Sequence, residues 1–196
     1  MIDPYDDTVG YRVPLRSAGY TLITHAHADH ANMRAVTGPT HVVAGSGRRG
    51  NDAFPVRAVL LPHDDRGGAE RGLVNGMCFS MDGVRVCHLS DLGDALDESQ
   101  AAEIGPVDLL LVPVGGAPYT IDGVKARSVV ERLAPRAVIP MHYMTPQTNR
   151  RDFPIAGVEL FLEGFKSVER VRSGVLELTE KTLPLRQTVY VLTNTC

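Results

Sequence analysis

The sequence predicts a layered α/β fold, and three observations support this prediction. Short apolar runs of strand length are separated by Gly, Pro and Asp and alternate with segments of helical length. Residues Val107–Val114 form a nearly continuous apolar run, as expected of a strand covered on both faces. Residues with metal-binding chemistry directly follow several β-like runs, which is where layered α/β folds place their sites.

Length and composition indicate an ordinary globular chain. The 196 residues include 43% hydrophobic and 22% charged residues. This length fits one domain or a two-layer pair with a shared core, and we expect a single domain over residues 1–196. The net charge of −3, without a long basic run, argues against a nucleic-acid partner. Every apolar stretch is shorter than a membrane span, so no membrane partner is expected.

The three cysteines are Cys78, Cys87 and Cys196. Their odd number and the lack of a CxxC pair argue against a disulfide framework and favour a reducing compartment. No cationic, apolar leader begins at Met1, so we expect a cytoplasmic protein.

The first part of the chain is predicted to form strands around one short helix. Tyr20–Thr24 is a β-prone run that ends at the first histidine. Asp29 is predicted to cap a helix that extends to about Val36 and stops at Gly38-Pro39. The next strands are predicted at His41–Ala44 and Val56–Leu61.

A hairpin follows these strands. Gly76–Met81 and Val84–Leu89 flank Asp82-Gly83, which is the strongest short-range hairpin signal. The second strand of the hairpin leads directly to Asp91.

The second half is predicted to alternate helices and strands. Asp122 is expected to cap an amphipathic helix over Asp122–Leu133, which ends before Pro135. The other predicted helices are Asp97–Ile104 and a weaker one near Val158–Phe165. The predicted strands are Val107–Val114, Ala137–Met141, which ends at His142, and weaker ones near Gly174–Leu178 and Thr188–Leu192.

The stretch THAHADH (residues 24–30) carries the chemistry of a metal site. Imidazoles and carboxylates are ligands of borderline metals such as zinc. Because residues two apart in an extended backbone point the same way, His25 and His27 can reach one ion. Asp29 and His30 can reach a second one.

Three distal residues can complete both sites. His63, Asp91 and His142 each follow a β-like run and supply two imidazoles and one carboxylate. A carboxylate such as Asp91 can bridge two cations about 3.5–4 Å apart. Such a pair lowers the pKa of a bound water from about 15.7 towards 7, which provides a nucleophile at neutral pH.

These residues resemble the metallo-β-lactamase superfamily. THAHADH matches its HxHxDH signature. The superfamily's order then continues with a lone His (His63), an Asp after a hairpin strand (Asp91) and a late His (His142). The chain looks most like the UlaG-like branch, which includes L-ascorbate-6-phosphate lactonase. The segments that carry this resemblance cover about residues 1–146 and are MIDPYDDTVGY, LPHDDRGGAERG, VCHLSDLGDAL, VDLLLVPVGGAPYTID and AVIPMHYMTP.

The resemblance implies a four-layer αββα sandwich with the site at one edge. It implies that His25, His27 and His63 ligate one metal, that Asp29, His30 and His142 ligate a second, and that Asp91 bridges both. Two divalent ions are expected, with Zn²⁺ favoured over Mn²⁺ or Fe. The implied activity is hydrolysis of an ester, lactone or phosphoester of a small molecule by a metal-bridging hydroxide. Asp29 or Asp91 would move a proton.

The chain departs from the family pattern in three places. It starts after the strand pair with a Gly-His motif that usually opens relatives, so it either begins inside a longer product or lacks these first amino-terminal strands. We expect a partner subunit to cover the uncovered sheet edge, which gives a homo-oligomer. Ser90 replaces a common Gly, and Met144 stands where close relatives often carry Lys.

Several residues keep two interpretations. Tyr119 and Tyr143 either contact substrate or belong to plain turns. Asp64 and Asp65 either compete with His63 or support it. Four further residues have weaker predictions: structural roles for His41 and His88, and anion attraction for Arg66 and Arg71. The alternative functions are a non-catalytic or degraded metal-binding member and a nucleic-acid-processing hydrolase.

Overall fold

The computed structural model describes residues 1–193, which form twelve strands, three α-helices and two 3₁₀-helices. The strands are β1 (Arg16–Ser17), β2 (Tyr20–Ile23), β3 (Val36–Thr37), β4 (His41–Ala44), β5 (Gly47–Asn51), β6 (Phe54–Pro62), β7 (Leu73–Met81), β8 (Val84–His88), β9 (Leu109–Pro113), β10 (Ala137–Met141), β11 (Val168–Val171) and β12 (Thr188–Leu192). The α-helices are α1 (Glu98–Ile104), α2 (Gly123–Leu133) and α3 (Glu159–Leu162), and the 3₁₀-helices are Asp7–Val9 and Met33–Ala35.

An eight-stranded mixed sheet dominates the fold. Its strand order is β11-β12-β10-β9-β8-β7-β6-β5. The strands from β5 to β8 are antiparallel neighbours, whereas β8, β9, β10, β12 and β11 run parallel. Two small parallel pairs, β2-β4 and β1-β3, complete the strands of the described residues. The first residues of the chain pair along β2, where Met1 accepts from Leu22 N (2.9 Å) and its amino group donates to Tyr20 O (2.8 Å).

Hydrophobic clusters cover both faces of the large sheet. On one face, all three α-helices contribute to the largest cluster, for example through Ile104, Val130 and Phe161. On the other face, Leu22 and Val43 of the β2-β4 pair pack against residues of β6 and β7 such as Met77. The β2-β4 pair therefore lies face to face with the large sheet, and the α-helices lie on the opposite face of the large sheet. This arrangement confirms the predicted sandwich.

The strongest local signals correspond to elements of the structure. Asp82 and Gly83 have φ values of 50° and 79°, as the two central residues of a type I′ hairpin turn require. Asp122 caps α2 by accepting hydrogen bonds from Val124 N and Lys125 N. The predicted strands Ala137–Met141 and Thr188–Leu192 are present with the same bounds as β10 and β12.

The helix predicted from Asp29 to about Val36 is wrong. A turn follows Asp29, and only Met33–Ala35 is helical, as one turn of 3₁₀-helix before β3. Asn32 explains the difference, since its backbone N–H donates to Pro4 O (2.8 Å) and its side chain donates to Tyr5 O (2.8 Å). These bonds tie the segment to the start of the chain instead of to its own preceding turn.

The strand predicted near Gly174–Leu178 is also wrong. The strand lies earlier, at β11, and residues 175–179 have no regular structure. Leu176 and Leu178 instead pack against a buried cluster that includes Leu183 and Tyr190. Their alternation therefore reflects two hydrophobic contacts, not pairing in a sheet.

Within residues 1–193, the longest helix has 11 residues, and none combines the length and apolar character needed to cross a bilayer. The predictions of a single domain, a cytoplasmic location and a partner subunit stay predictions.

Candidate metal centre

The ends of several strands meet at one edge of the large sheet. His63 follows β6, Asp91 lies three residues after β8, and His142 follows β10. These three strands run in the same direction, because β6 and β8 both pair antiparallel to β7 and the strands from β8 to β10 are parallel. His25 arrives from the end of β2 in the facing pair. The fold thus brings together residues that are far apart in sequence.

Asp91 lies at the centre of this edge and is 4% exposed. Its Oδ2 lies 3.3 Å from His30 Nε2, 3.4 Å from His63 Nε2, 3.7 Å from His142 Nε2 and 3.9 Å from His25 Nε2. Burial alone would raise the pKa of Asp91, but His142 and His30 outweigh burial and hold that pKa well below its usual range. Asp91 is therefore an ionised carboxylate surrounded by imidazoles.

One ligand group consists of His25, His27 and His63, whose ligand nitrogens lie within 4.8 Å of one another. His25 Nε2 is 3.0 Å from His27 Nδ1. Burial, followed by the nearby His30, lowers the pKa of His25 to about 3, so its imidazole is neutral at pH 7. Neutral imidazole is the form that binds a metal ion.

A second group consists of His30, Asp91 and His142, again with ligand atoms within 4.8 Å of one another. Asp29 lies beside this group, with its Oδ2 3.6 Å from His30 Nε2, but does not belong to the set that meets this limit. The structure therefore gathers all seven residues predicted as ligands at one edge and puts Asp29 at the margin.

The chemistry of this edge fits a bound metal. His63 is 1% exposed, and neither of its ring nitrogens has a hydrogen-bond partner among the described residues. Buried polar atoms without partners are costly, and most have one in native proteins. A cation bound to Nε2 would supply that partner, and the His-rich donor set suits such an ion.

Asp3 supports the centre, and no role was predicted for it. Its Oδ2 accepts hydrogen bonds from His30 Nδ1 (2.9 Å) and from Thr24 Oγ1 (2.6 Å). Because Thr24 gives its only hydroxyl proton to Asp3, it accepts from His25 Nδ1 at 3.0 Å. Asp3 thus directs the Nε2 atoms of both His25 and His30 towards Asp91. The only sequence signal was its position in MIDPYDDTVGY, a segment that resembles the family.

The bond of His30 to Asp3 also sets the charge of both groups. Burial opposes ionisation of Asp3, but the hydrogen bond from His30 outweighs it and lowers the pKa of Asp3. Burial likewise opposes protonation of His30, yet Asp91 and Asp3 raise its pKa well above the usual value. Without a cation, His30 therefore carries the positive charge between two carboxylates.

Ser90 and His88 hold the approach to Asp91. Ser90 has φ 54°, in the left-handed region that favours glycine. Its hydroxyl donates to Thr24 Oγ1 (2.6 Å), and its backbone N–H donates to His88 Nδ1 (3.1 Å). His88 is buried in this structural role, as predicted.

Asp64 organises the loop after His63. Its carboxylate accepts from the backbone N–H groups of Arg66, Gly68, Glu70 and Arg71 at 2.7–2.9 Å. Burial would raise the pKa of Asp64, but these bonds, that of Arg71 first, lower it to about 2. Asp64 is therefore a loop anchor beside His63 and not a competing ligand.

The two tyrosines predicted to contact substrate lie near the centre in different settings. Tyr119 donates its hydroxyl to Asp152 O (2.8 Å), and its ring lies 6.3 Å from that of His142. The guanidinium of Arg71 stacks 4.6 Å from the Tyr119 ring, whereas Arg66 pairs with Glu70 at the surface. Tyr143 lines a cavity of about 400 Å³ that opens onto His30, Asp91 and His142.

The chain is similar to known proteins over most of its length. The profile of the beta-lactamase superfamily domain matches residues 1–142. A UPF0173 metal-dependent hydrolase of Thermococcus onnurineus is 31% identical over 173 residues, which cover 74% of this chain and 77% of that protein. A protein of the same designation from Pyrococcus furiosus is 32% identical over 174 residues, with the same two coverages of 74% and 77%.

A crystal structure from Thermotoga maritima is similar in fold as well as in sequence. That protein is assigned to the Zn-dependent hydrolases of the metallo-β-lactamase superfamily. It superposes with a TM-score of 0.77 at 34% identity, over 96% of this chain and 86% of that one.

Proposed function

From the premise that this chain belongs to the metallo-β-lactamase superfamily and to its UPF0173 metal-dependent hydrolases, we propose that it is a dinuclear hydrolase of a small-molecule ester, lactone or phosphoester. The observation that carries this proposal is the position of Asp91 Oδ2, which lies 3.3–3.9 Å from imidazoles of both ligand groups. A carboxylate shared in this way is suited to bridging two cations.

The proposed ligands follow the two groups. His25, His27 and His63 would hold one ion, and His30 and His142, with Asp29 at the margin, would hold the other. When bound, two divalent cations supply a water of lowered pKa and positive charge for a developing oxyanion. Imidazole-rich ligation favours Zn²⁺, and Mn²⁺ or Fe are the alternatives for a His/Asp set.

The two central carboxylates have different roles in this proposal. Asp91 is a weak proton acceptor, because His142 and His30 hold its pKa well below the usual range. Asp29 is half-buried at the mouth of the centre and lies outside the tight second group. Asp29 Oδ2 is therefore the atom that takes a proton during addition and returns it to the leaving oxygen. Tyr143, which lines the cavity beside the second group, would contact the substrate there, and Tyr119, with its ring 6.3 Å from that of His142, would contact it from outside the cavity.

Metal analysis combined with chelation tests the proposal. The expected results are about two equivalents of zinc per chain, loss of ester or phosphoester hydrolysis in EDTA, and recovery when zinc is added. His27→Ala should abolish turnover, whereas His41→Ala should not, because His41 is exposed and stacks on Tyr20.

Full activity after chelation, or in His27→Ala, would contradict the proposal. Less than one metal per chain, with no turnover on a broad panel, would instead identify a non-catalytic member. A phosphorylated lactone in the panel tests the resemblance to the UlaG-like branch.

A further inference from the structure

We propose that the substrate is an uncharged ester or lactone whose non-reacting part is apolar and lies in the cavity beside His30, Asp91 and His142. This inference rests on the proposed hydrolase function and narrows its substrate class. In the reaction, water adds its oxygen to the carbonyl carbon. The bond from that carbon to the alcohol oxygen then breaks, and the alcohol oxygen takes the proton.

The cavity adjoins only one of the two ligand groups. His30, Asp91, His142 and Asp29 line one part of it, whereas His25, His27 and His63 are not among its lining residues. A reacting carbonyl near the second group would therefore leave the rest of the molecule in the cavity. Much of the remaining wall is aliphatic or aromatic and includes Ile2, Tyr5, Val9, Tyr11, Tyr143 and Phe153.

Part of this wall is built by two segments that are distant in sequence, residues 9–11 and residues 145–149, which are joined by hydrogen bonds. The Tyr11 hydroxyl bonds to that of Thr145 and lies 3.4 Å from that of Thr148. Asn149 donates its backbone N–H to Val9 O (3.1 Å). Gly10 has φ 94°, and a Cβ there would lie 2.4 Å from Gln147 O, so this close approach requires glycine. The cavity is therefore preformed, as small-molecule sites usually are.

The charges in the cavity disfavour an anionic substituent. Among the described residues that line it, Asp3, Asp29 and Asp91 are acidic, and none is Lys or Arg. Arg71, which stacks on Tyr119, does not belong to the lining. Cations at the metal centre would face the reacting group and not the rest of the substrate. Both nitrogens of His30, the basic residue of the lining, already face Asp3 (2.9 Å) and Asp91 (3.3 Å). A phosphate or carboxylate substituent in the cavity would therefore lack the free basic partner that such groups normally find.

The polar groups of the wall are neutral. The half-buried Tyr143 carries a phenol hydroxyl, which is uncharged at neutral pH. The hydroxyls of Tyr11 and Thr148 lie within hydrogen-bond distance of each other, and Thr148 also accepts from Thr145 N. A volume of about 400 Å³, at the ~30 Å³ that one water takes in the liquid, holds on the order of a dozen non-hydrogen atoms. A hexanoyl or phenylacetyl group fits within this volume and matches the apolar character of the wall.

Three esters that share one leaving group test the inference with the zinc-loaded protein. They are 4-nitrophenyl hexanoate, 4-nitrophenyl acetate and the mono-4-nitrophenyl ester of adipic acid. The adipate has a carboxylate in place of the terminal methyl group of the hexanoyl chain. We expect kcat/KM for the hexanoate to exceed that of each other ester at least tenfold. Equal values for hexanoate and acetate, or faster hydrolysis of the adipate, would overturn the inference.

Variants of the wall add a second test. Phe153→Ala should lower kcat/KM for the hexanoate about tenfold and that for the acetate less than threefold, because only the longer chain reaches Phe153. Leu185→Ala, the control, changes a fully exposed side chain outside the cavity lining and should leave both values unchanged. Val9→Lys places a cation in the half-buried wall and should shift the preference from the hexanoate towards the adipate. Unchanged preferences in both Phe153→Ala and Val9→Lys would overturn the inference.

Binding separates this inference from the proposed function. N-phenylhexanamide, an uncharged and slowly hydrolysed analogue, should quench tyrosine fluorescence in wild type more strongly than in Phe153→Ala, with or without zinc. If the amide binds but nothing is hydrolysed, the hydrolase proposal fails and the cavity assignment stands. If phosphoesters are hydrolysed, but the three esters are not hydrolysed and the amide does not bind, the hydrolase proposal is retained and this inference is overturned.

Discussion

Asp3, near the start of the chain, fixes the orientation of two histidines of the metal centre. One carboxylate oxygen accepts from His30 directly and, through Thr24, sets the tautomer of His25. In both rings Nδ1 is held by a hydrogen bond, so Nε2 is the nitrogen that faces Asp91 and is left to bind a cation. A single side chain outside the predicted ligand set thus orients one histidine from each of the two ligand groups.

Asp3→Asn should weaken zinc binding about 10- to 100-fold, because an amide nitrogen in place of Oδ2 donates where His30 and Thr24 need an acceptor. Competition with a chromogenic chelator measures the affinity, and circular dichroism shows that the fold is retained. Asp52→Asn is the matched control, since Asp52 is exposed and outside the ligand groups of the described residues. Wild-type affinity in Asp3→Asn would refute the role of Asp3.

Asp64 gives a prediction about acid stability. Its pKa is lowered from 3.8 to about 2 in the folded chain, so its ionised form stabilises the fold above pH 3.8. This contribution is lost as the pH falls through about 2. The free energy of unfolding of the metal-free protein should exceed that of Asp64→Asn most above pH 4, and the difference should shrink between pH 4 and 2. Urea titrations at successive pH values measure it, and a constant difference would contradict this prediction.

At the scale of elements, the site depends on how strands end. Ser90, two residues after β8, and His142, directly after β10, both have positive φ, at 54° and 51°. Such a conformation is uncommon for residues other than glycine and costs of order 1–3 kcal/mol where it occurs. It turns the chain sharply out of the sheet, so that the side chains of Asp91 and His142 point across the sheet edge. The buried Ser90 bonds to Thr24 and His88, which stabilises the first of these turns.

The cap of α2 can be tested apart from the site. Asp122→Ala removes the acceptor of two backbone N–H groups and should lower the free energy of unfolding by about 1 kcal/mol. Asp122→Asn keeps an acceptor oxygen and should lose much less. Urea denaturation measures both variants, and zinc content should be unchanged in each. A loss of zinc in Asp122→Ala would show that this helix end also supports the metal centre.

In the molecule as a whole, neighbouring residues are enough to predict some of the helices, strands and turns, but others depend on contacts between distant parts of the chain. The Asp82-Gly83 turn and the Asp122 cap are decided by neighbouring residues, and the ligand pattern follows from strand ends. Gly47–Asn51 lacks apolar alternation and forms an edge strand only because β6 offers a partner. The segment after Asp29 is irregular because Asn32 bonds to Pro4 and Tyr5. These contacts join distant parts of the chain, and no local pattern predicts them.

Metal binding should stabilise the entire fold, since the ligands come from both halves of the chain. With free zinc 100-fold above its dissociation constant, linkage supplies about 2.7 kcal/mol. At about 2–4 °C per kcal/mol for a chain of this size, EDTA should lower Tm by about 5–10 °C. Calorimetry measures the shift, which His41→Ala should retain and Asp91→Ala should largely lose. An EDTA shift in Asp91→Ala equal to that of wild type would exclude Asp91 as a ligand.

The sheet edges bear on the predicted partner subunit. The outer strand β5 is exposed throughout and carries Arg48 and Arg49, a composition that discourages pairing with another sheet. Residues Met1–Asp3 already pair along β2. The homo-oligomer therefore stays a prediction, and small-angle scattering in solution tests it.

The hairpin turn at Asp82-Gly83 divides the ligands into two unequal halves. Residues before it contain His25, His27, Asp29, His30 and His63, and residues after it contain Asp91 and His142. A protein split at this exposed turn gives one fragment with a complete histidine group and the marginal Asp29, and another with a single carboxylate and a single imidazole. The second zinc site would form only where the two fragments rejoin, so uptake of a second zinc equivalent would measure their complementation.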